Sequence, residues 1–308
     1  MKKESESSVF SSLKDLLSLR RNALSVGLKT DKKNISLNTG SQRSFLKTKG
    51  MNFEEVRPYQ QGDDSRQIDW RVTAKHGKPF TKVYVDDTVH QVYVLTDLQN
   101  QMFFASHGDF KSVVAVRVNA LVSWIVLNKK GVLHQIVLSN QGVKSFKPIQ
   151  IEENLTAFFK QLLKMMPRTN NSQTSFLTQG VQTLKKQLKT GSIVFIISDF
   201  REISTDFVKE IREMGKSHSI ILMHIFDGME EKLPAGLFSF SDGISRFSLD
   251  TRLKSVQNTF TDIFKKRQET LQQMAKKTHA IYVPLQTHED YISQVLQILN
   301  KRGMLYGK

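Results

Sequence analysis

The stretch Ser192-Ile-Val-Phe-Ile-Ile-Ser-Asp-Phe200, SIVFIISDF, is an unbroken apolar run, rich in β-branched residues, that closes on a carboxylate. A run this short, bounded by polar residues, reads as a strand buried on both faces with Asp199 at its carboxyl end. Working outward, residues 90–97 (HQVYVLTD) end on Asp97 and residues 218–227 (HSIILMHIFD) on Asp227; residues 132–139 (VLHQIVLS) and 279–285 (HAIYVPL) have the same character. Between them lie helical patterns over about 110–128, 154–166 and 177–188. Strands alternating with helices predict an α/β fold with a doubly wound, mainly parallel sheet. Ligands of such sheets gather outside the carboxyl ends of the strands, so Asp97, Asp199 and Asp227 could share one rim. Aspartate at a strand end is equally a common turn residue.

Composition narrows the classes. With 39% hydrophobic and 24% charged residues in 308, the chain can bury a substantial core, and disorder is not the default. A net charge of +16 and a pI near 9.8 suggest an anionic partner, nucleic acid or an anionic surface. The excess is diffuse, however, in pairs such as Lys32-Lys33, Lys129-Lys130, Lys185-Lys186 and Lys276-Lys277, where a nucleic-acid fold would concentrate it. The absence of cysteine excludes disulfides, thiolate metal sites and a cysteine nucleophile, and fits a reducing compartment. The N-terminus begins basic, but the apolar stretch a signal peptide needs is interrupted by Lys14 and Asp15, so it does not read as a secretory signal. No apolar run approaches the roughly 20 residues that span a bilayer. The expectation is a cytoplasmic protein without an integral membrane span.

Familiar catalytic patterns are missing. Gly215-Lys216-Ser217 has the ending of a phosphate loop, but Glu210 stands where its first glycine belongs. There is no Gly-x-Gly-x-x-Gly run, nucleophile elbow or His-Glu-x-x-His, and the eight histidines are scattered. The densest acidic group, Asp63, Asp64 and Asp69, lies among Arg57, Arg66 and Arg71, an arrangement for mutual pairing rather than acid–base chemistry.

The most specific segment spans residues 43–87, RSFLKTKGMNFEEVRPYQQGDDSRQIDWRVTAKHGKPFTKVYVDD. Gly50, Phe53, Arg57, Tyr59, Gly62, Asp63, Asp64, Arg66, Ile68, Asp69, Trp70, Ala74, Lys75 and Lys82 resemble the signature of domain-of-unknown-function family 58, with Lys75 where the family usually has Arg. Physically, Gly62 can adopt backbone angles closed to other residues. Asp63, Asp64 and Asp69 can accept from backbone amides and the guanidinium groups of Arg57 and Arg66, and Trp70 is expected to pack the segment against the sheet. One reading is a charge-paired turn stapling a small subdomain to the main one; the other is a face read by a partner protein.

The resemblance implies a von Willebrand factor A-like domain over residues 89–308. It leaves residues 1–88 as an N-terminal docking helix (Leu13, Leu16, Leu17, Leu19), a polar arm and a β-rich signature module. In that architecture an Asp-x-Ser-x-Ser motif, a threonine and a further aspartate bind a divalent cation. By position these fall on Asp97, Gln99, Gln101, Thr174 and Asp199. Both serines are thus glutamines. A hydroxyl fits the shell of magnesium at about 2.1 Å, whereas the longer glutamine forces the ion outward or fills its place with amide. The expectation is an empty or amide-filled site, no cofactor and no enzymatic activity. Recognition would use the amides of Gln99, Asn100 and Gln101, or the signature segment. The resemblance further implies an adaptor or co-chaperone linking a MoxR-type AAA+ ATPase to client proteins. Two alternatives are a binder of nucleic acid or anionic surfaces, and a magnesium-dependent phosphoryl-transfer enzyme using Asp97, Asp199 and Asp227.

Overall fold

The computed structural model describes residues 9–25, 51–60, 65, 68–86, 90–167, 175–241 and 246–301. They divide into two compact units, one holding 9–25 with 90–301 and the other 51–86. This differs from the expected division near residue 88, because the N-terminal helices α1 (Leu13–Ser18) and α2 (Arg20–Ser25) belong to the main unit. Leu16, Leu19 and Ala23 are buried in its core, and the Trp124 indole donates to the Leu16 carbonyl at 2.9 Å. The amphipathic leucines supply the burial, and a capping box between Ser12 and Asp15 starts α1.

The smaller unit is an antiparallel pair, β1 (Met51–Pro58) and β2 (Phe80–Asp86), joined through α3 (Trp70–His76). Asp69 caps α3, its carboxylate accepting from the amides of Arg71 and Val72, and Gly77 ends the helix at φ +66°. Trp70 corrects the expectation that it packs the segment: it is 70% exposed, at the first position of a helix with no buried residue. Arg57 pairs with Thr81 in the ladder, the Tyr59 amide donates to the Pro79 carbonyl, Lys75 is exposed in the last turn of α3, and Lys82 lies opposite Val56. Gly62, Asp63, Asp64 and Arg66 lie outside the described residues.

The main unit continues with β3 (Gln91–Asp97), α4 (Lys111–Asn128), β4 (Val132–Ser139), β5 (Gly142–Ser145), α5 (Glu152–Lys164) and α6 (Leu177–Lys185). Then follow β6 (Ile193–Ser198), α7 (Thr205–Met214), β7 (Ser219–Phe226), α8 (Gly228–Glu231) and the hairpin β8 (Leu237–Ser241) and β9 (Arg246–Asp250). The long helix α9 (Lys254–Thr278), β10 (Ile281–Gln286) and α10 (Tyr291–Lys301) complete it. The six-stranded sheet has the order β10-β7-β6-β3-β4-β5, parallel except for β5. This is the expected doubly wound architecture.

Side-chain alternation divides the core. Val92 and Val94 face one layer, with α1, α2, α4, α5 and α10, while Tyr93 and Leu95 face the other, with α6, α7 and α9. Cover on both faces explains why the strands read as apolar runs. Helix α4 is long and apolar enough to cross a membrane by length and composition, yet 83% of it is buried within the fold, as expected of a core helix apolar all round.

Packing is close where α7 meets the end of α9. A Cβ added at Gly215 would lie 2.5 Å from the Thr278 carbonyl oxygen, part of a backbone that cannot swing aside. Gly215→Ala is expected to lower stability by about 1–3 kcal/mol in urea unfolding. An unchanged midpoint would show that the end of α9 yields instead.

Candidate functional site

Chain order reverses between β3 and β6, the central neighbours of the sheet, and the crevice at their carboxyl ends is where such a fold places a ligand. Asp97 ends β3, and Ser198 ends β6 with Asp199 directly after it; all three are buried. The Ser198 hydroxyl donates to Asp97 Oδ2 at 2.7 Å. The Gln99 amide N–H and side-chain Nε2 donate to Asp97 Oδ1 at 3.0 and 3.1 Å. Gln99 Oε1 accepts from the Phe176 amide at 2.7 Å, which fixes the orientation of its amide group. Beyond Asp199, Phe200 adopts φ +47°, a strained turn for a bulky residue that costs about 1–3 kcal/mol.

Asp199 is held differently. Its Oδ1 accepts from the Arg201 amide at 3.1 Å, and its Oδ2 from the ammonium of Lys111 at 2.8 Å. Lys111 also donates to Glu230 Oε1 at 3.1 Å. Glu230 belongs to a capping box at α8, its Oε2 accepting from the Asp227 amide at 3.0 Å. Asp227 itself accepts from the Met229 and Ser106 amides and the Thr287 hydroxyl, tying three loops together. The three strand-end aspartates therefore do lie along one edge, but Asp227 is engaged in holding loops.

The electrostatics differ between the two central aspartates. Burial, and then the neighbouring charge of Asp199, push the Asp97 carboxyl up to about 6 against the pull of its Ser198 and Gln99 hydrogen bonds. Burial also penalises the Asp199 charge, but Lys111 outweighs it and holds that carboxyl below its ordinary value. In turn, burial disfavours the Lys111 ammonium, and Asp199 and Glu230 more than compensate, raising its pKa.

Of the positions the resemblance assigned to a cation, Asp97, Gln99 and Asp199 come together; Thr174 lies outside the described residues. Gln101 is half-buried in the turn after β3 and makes no hydrogen bond to the cluster among the described residues. The donor set does not fit a hard cation, because every oxygen of Asp97 and Asp199 already accepts from an N–H or O–H, and Gln99 presents its donor nitrogen to Asp97. Recognition through amides needs correction for two residues. Gln99 is fully buried with its amide turned inward, and Asn100 is buried and paired with Asn140. Lys111, Ser198 and Glu230 are the cluster members that sequence reasoning missed. The available signal was a lysine opening a predominantly apolar helix whose only other charged residue is Arg117.

A family model described as "Protein of unknown function DUF58" matches residues 55–273, well over half of the chain. The chain belongs to the DUF58 family. Curated relatives include the uncharacterized protein Rv1480 of Mycobacterium tuberculosis and the uncharacterized protein Mb1516 of Mycobacterium bovis. Each is 21% identical over 278 residues, covering 87% of this DUF58 chain and 85% of the relative. Among solved structures, an aerotolerance-related membrane protein of Bacteroides fragilis aligns with 69% of this chain and 97% of its own, at 13% identity and a TM-score of 0.41. The SpRpn10 VWA domain aligns over 68% and 95%, at 11% identity and a TM-score of 0.37. A von Willebrand factor type A protein of Catenulispora acidiphila aligns over 73% and 43%, at 9% identity and a TM-score of 0.39.

Proposed function

We propose that this DUF58 protein is a non-enzymatic interaction module, an adaptor or co-chaperone that links a MoxR-type AAA+ ATPase to client proteins in the cytoplasm. The observation that carries the reading is the exposure of Trp70, inside the residues matched to the family and in the segment that resembles its signature. Exposed tryptophan is costly to leave in water and is the residue type most enriched at the energetic centres of protein interfaces. Lys75, exposed on the same short helix, adds a charge for steering. The carboxylate cluster supports the non-enzymatic part, since its oxygens are engaged by internal donors and none is presented as a free base.

The test is a pull-down from the native cytosol with wild type, Trp70→Ala and Asp69→Ala, the variants first shown to be folded by circular dichroism. Wild type is expected to recover the ATPase, and Trp70→Ala to recover about tenfold less or worse. Failure of wild type to recover any ATPase removes the specific form of the proposal. Recovery of nucleic acid or anionic vesicles instead, with binding lost steeply on adding salt, would favour the reading from the +16 charge. Metal-dependent phosphoryl transfer abolished by Asp97→Asn would favour an enzyme.

A further inference from the structure

Helix α9 has two unlike halves. From Phe264 onward its apolar residues, Phe264, Leu271, Met274 and Ala275, are buried in the core. The half before them carries Leu253 at the N-cap, then Val256, Phe260 and Ile263, at spacings of three, four and three residues that align them along one side of the helix. Leu253 is 60% exposed, Phe260 40% and Ile263 55%, and Val256 is half-buried. A single exposed leucine is ordinary, but an aligned apolar row marks a contact surface. Gln257 and Thr259, which flank the row, are uncharged, although the chain carries a net +16. The charged residues between Leu253 and Ile263 are Lys254 and Asp262, and the helical period puts both on the side away from the row.

We infer that this row is a contact between two copies of the chain, their α9 helices paired antiparallel about a two-fold axis beside Asn258. The row is its own complement. About that centre Leu253 meets the partner's Ile263 and Val256 meets the partner's Phe260, so every apolar side chain of the row finds an apolar counterpart. A two-fold interface demands such self-complementarity, and the three-four-three spacing is that of a coiled-coil seam. The same arrangement sets Gln257 and Thr259 against their own counterparts, so no like charges are opposed. Two strongly basic chains meet at least electrostatic cost over a surface of this kind. The overlap is about 15 Å long, short for a permanent dimer, so association is weak and depends on concentration. This inference goes beyond the adaptor reading and is independent of it, because that reading rests on Trp70 in the smaller unit.

The experiment is analytical ultracentrifugation of the full chain from about 1 to 500 μM, in enough salt to screen its net charge. Wild type is expected to move from 35.3 kDa toward twice that mass as concentration rises. Ile263→Asn changes no charge at an exposed position, and should weaken the dimer about tenfold or more with the thermal midpoint unchanged. Ile151→Asn, at an apolar residue 52% exposed on another element, should associate as wild type does. Because the chain has no cysteine, a single thiol can be placed at will. Thr259→Cys should be joined to its counterpart by a bis-maleimide about 10 Å long, whereas Lys277→Cys, about 55 Å from its counterpart in the antiparallel pair, should not. A wild type that stays monomeric throughout overturns the proposal, and so does a dimer indifferent to Ile263→Asn or one joined through Lys277→Cys alone. A monomer whose recovery of the ATPase falls with Ile263→Asn assigns the row to that partner and overturns it equally.

Discussion

Replacing His224 by phenylalanine is expected to flatten the acid limb of the stability curve. His224 is fully buried on β7, its ring 5.4 to 6.0 Å from those of Phe200, Phe226, Phe264 and Tyr282. Its Nδ1 shares a hydrogen bond of 2.8 Å with the Tyr282 hydroxyl. Burial, reinforced by the nearby charge of Arg267, brings the imidazole down to about 3 from its ordinary 6.5. The folded state therefore resists a proton that the unfolded chain takes up. The stability tied to the neutral ring is fully present above pH 6.5 and is lost as pH falls toward 3, by about 5 kcal/mol in all.

Phenylalanine fills the aromatic nest without titrating, and leaves the Tyr282 hydroxyl one partner short, at a cost of about 1 kcal/mol at pH 7. Urea unfolding of both proteins at pH 7 and near pH 3.5 gives the comparison. Wild type should lose several kcal/mol more than the variant on acidification. Equal losses would show that carboxylates alone govern the acid transition.

The second large effect concerns the ion pair beneath the rim. Lys111→Met fills a similar volume and leaves Asp199 buried without its ammonium, and Glu230, partly exposed, without its donor. Breaking a buried pair from one side costs about 3–5 kcal/mol, most of it the desolvated charge left behind. Adding Asp199→Asn to Lys111→Met removes that charge and should restore a large part of the loss. A double-mutant cycle by urea unfolding measures the coupling directly. A single-variant cost below about 1 kcal/mol would place the pair with ordinary surface bridges.

The sheet was legible from the sequence because helices cover both of its faces, which forces the strands to be apolar without interruption. Asp97 and Asp199 were legible as strand ends because each is the first carboxylate after such a run, although both are themselves buried. What joins them was not. Lys111 and Asp199 are 88 residues apart, and Glu230 lies a further 31 along, so their meeting depends on the order of strands. The small antiparallel elements β5, β8 and β9 were also missed, because short strands of mixed polarity carry no period long enough to separate them from turns. Trp70 was misread through the habit of treating a large aromatic ring as core, when its place at the start of a short solvent-facing helix exposes it.

The two borders of the main sheet have a consequence for how this protein can assemble. One border is β10, interrupted by Pro284, which has no amide hydrogen to offer; the other is β5, four residues long. Both are poor templates for an incoming strand. Growth of the sheet by annexing a segment of another chain is therefore discouraged at either end. At the main sheet, contacts with other molecules are thus left to side chains, so the surface chemistry of its covering helices and loops sets which molecules are admitted there.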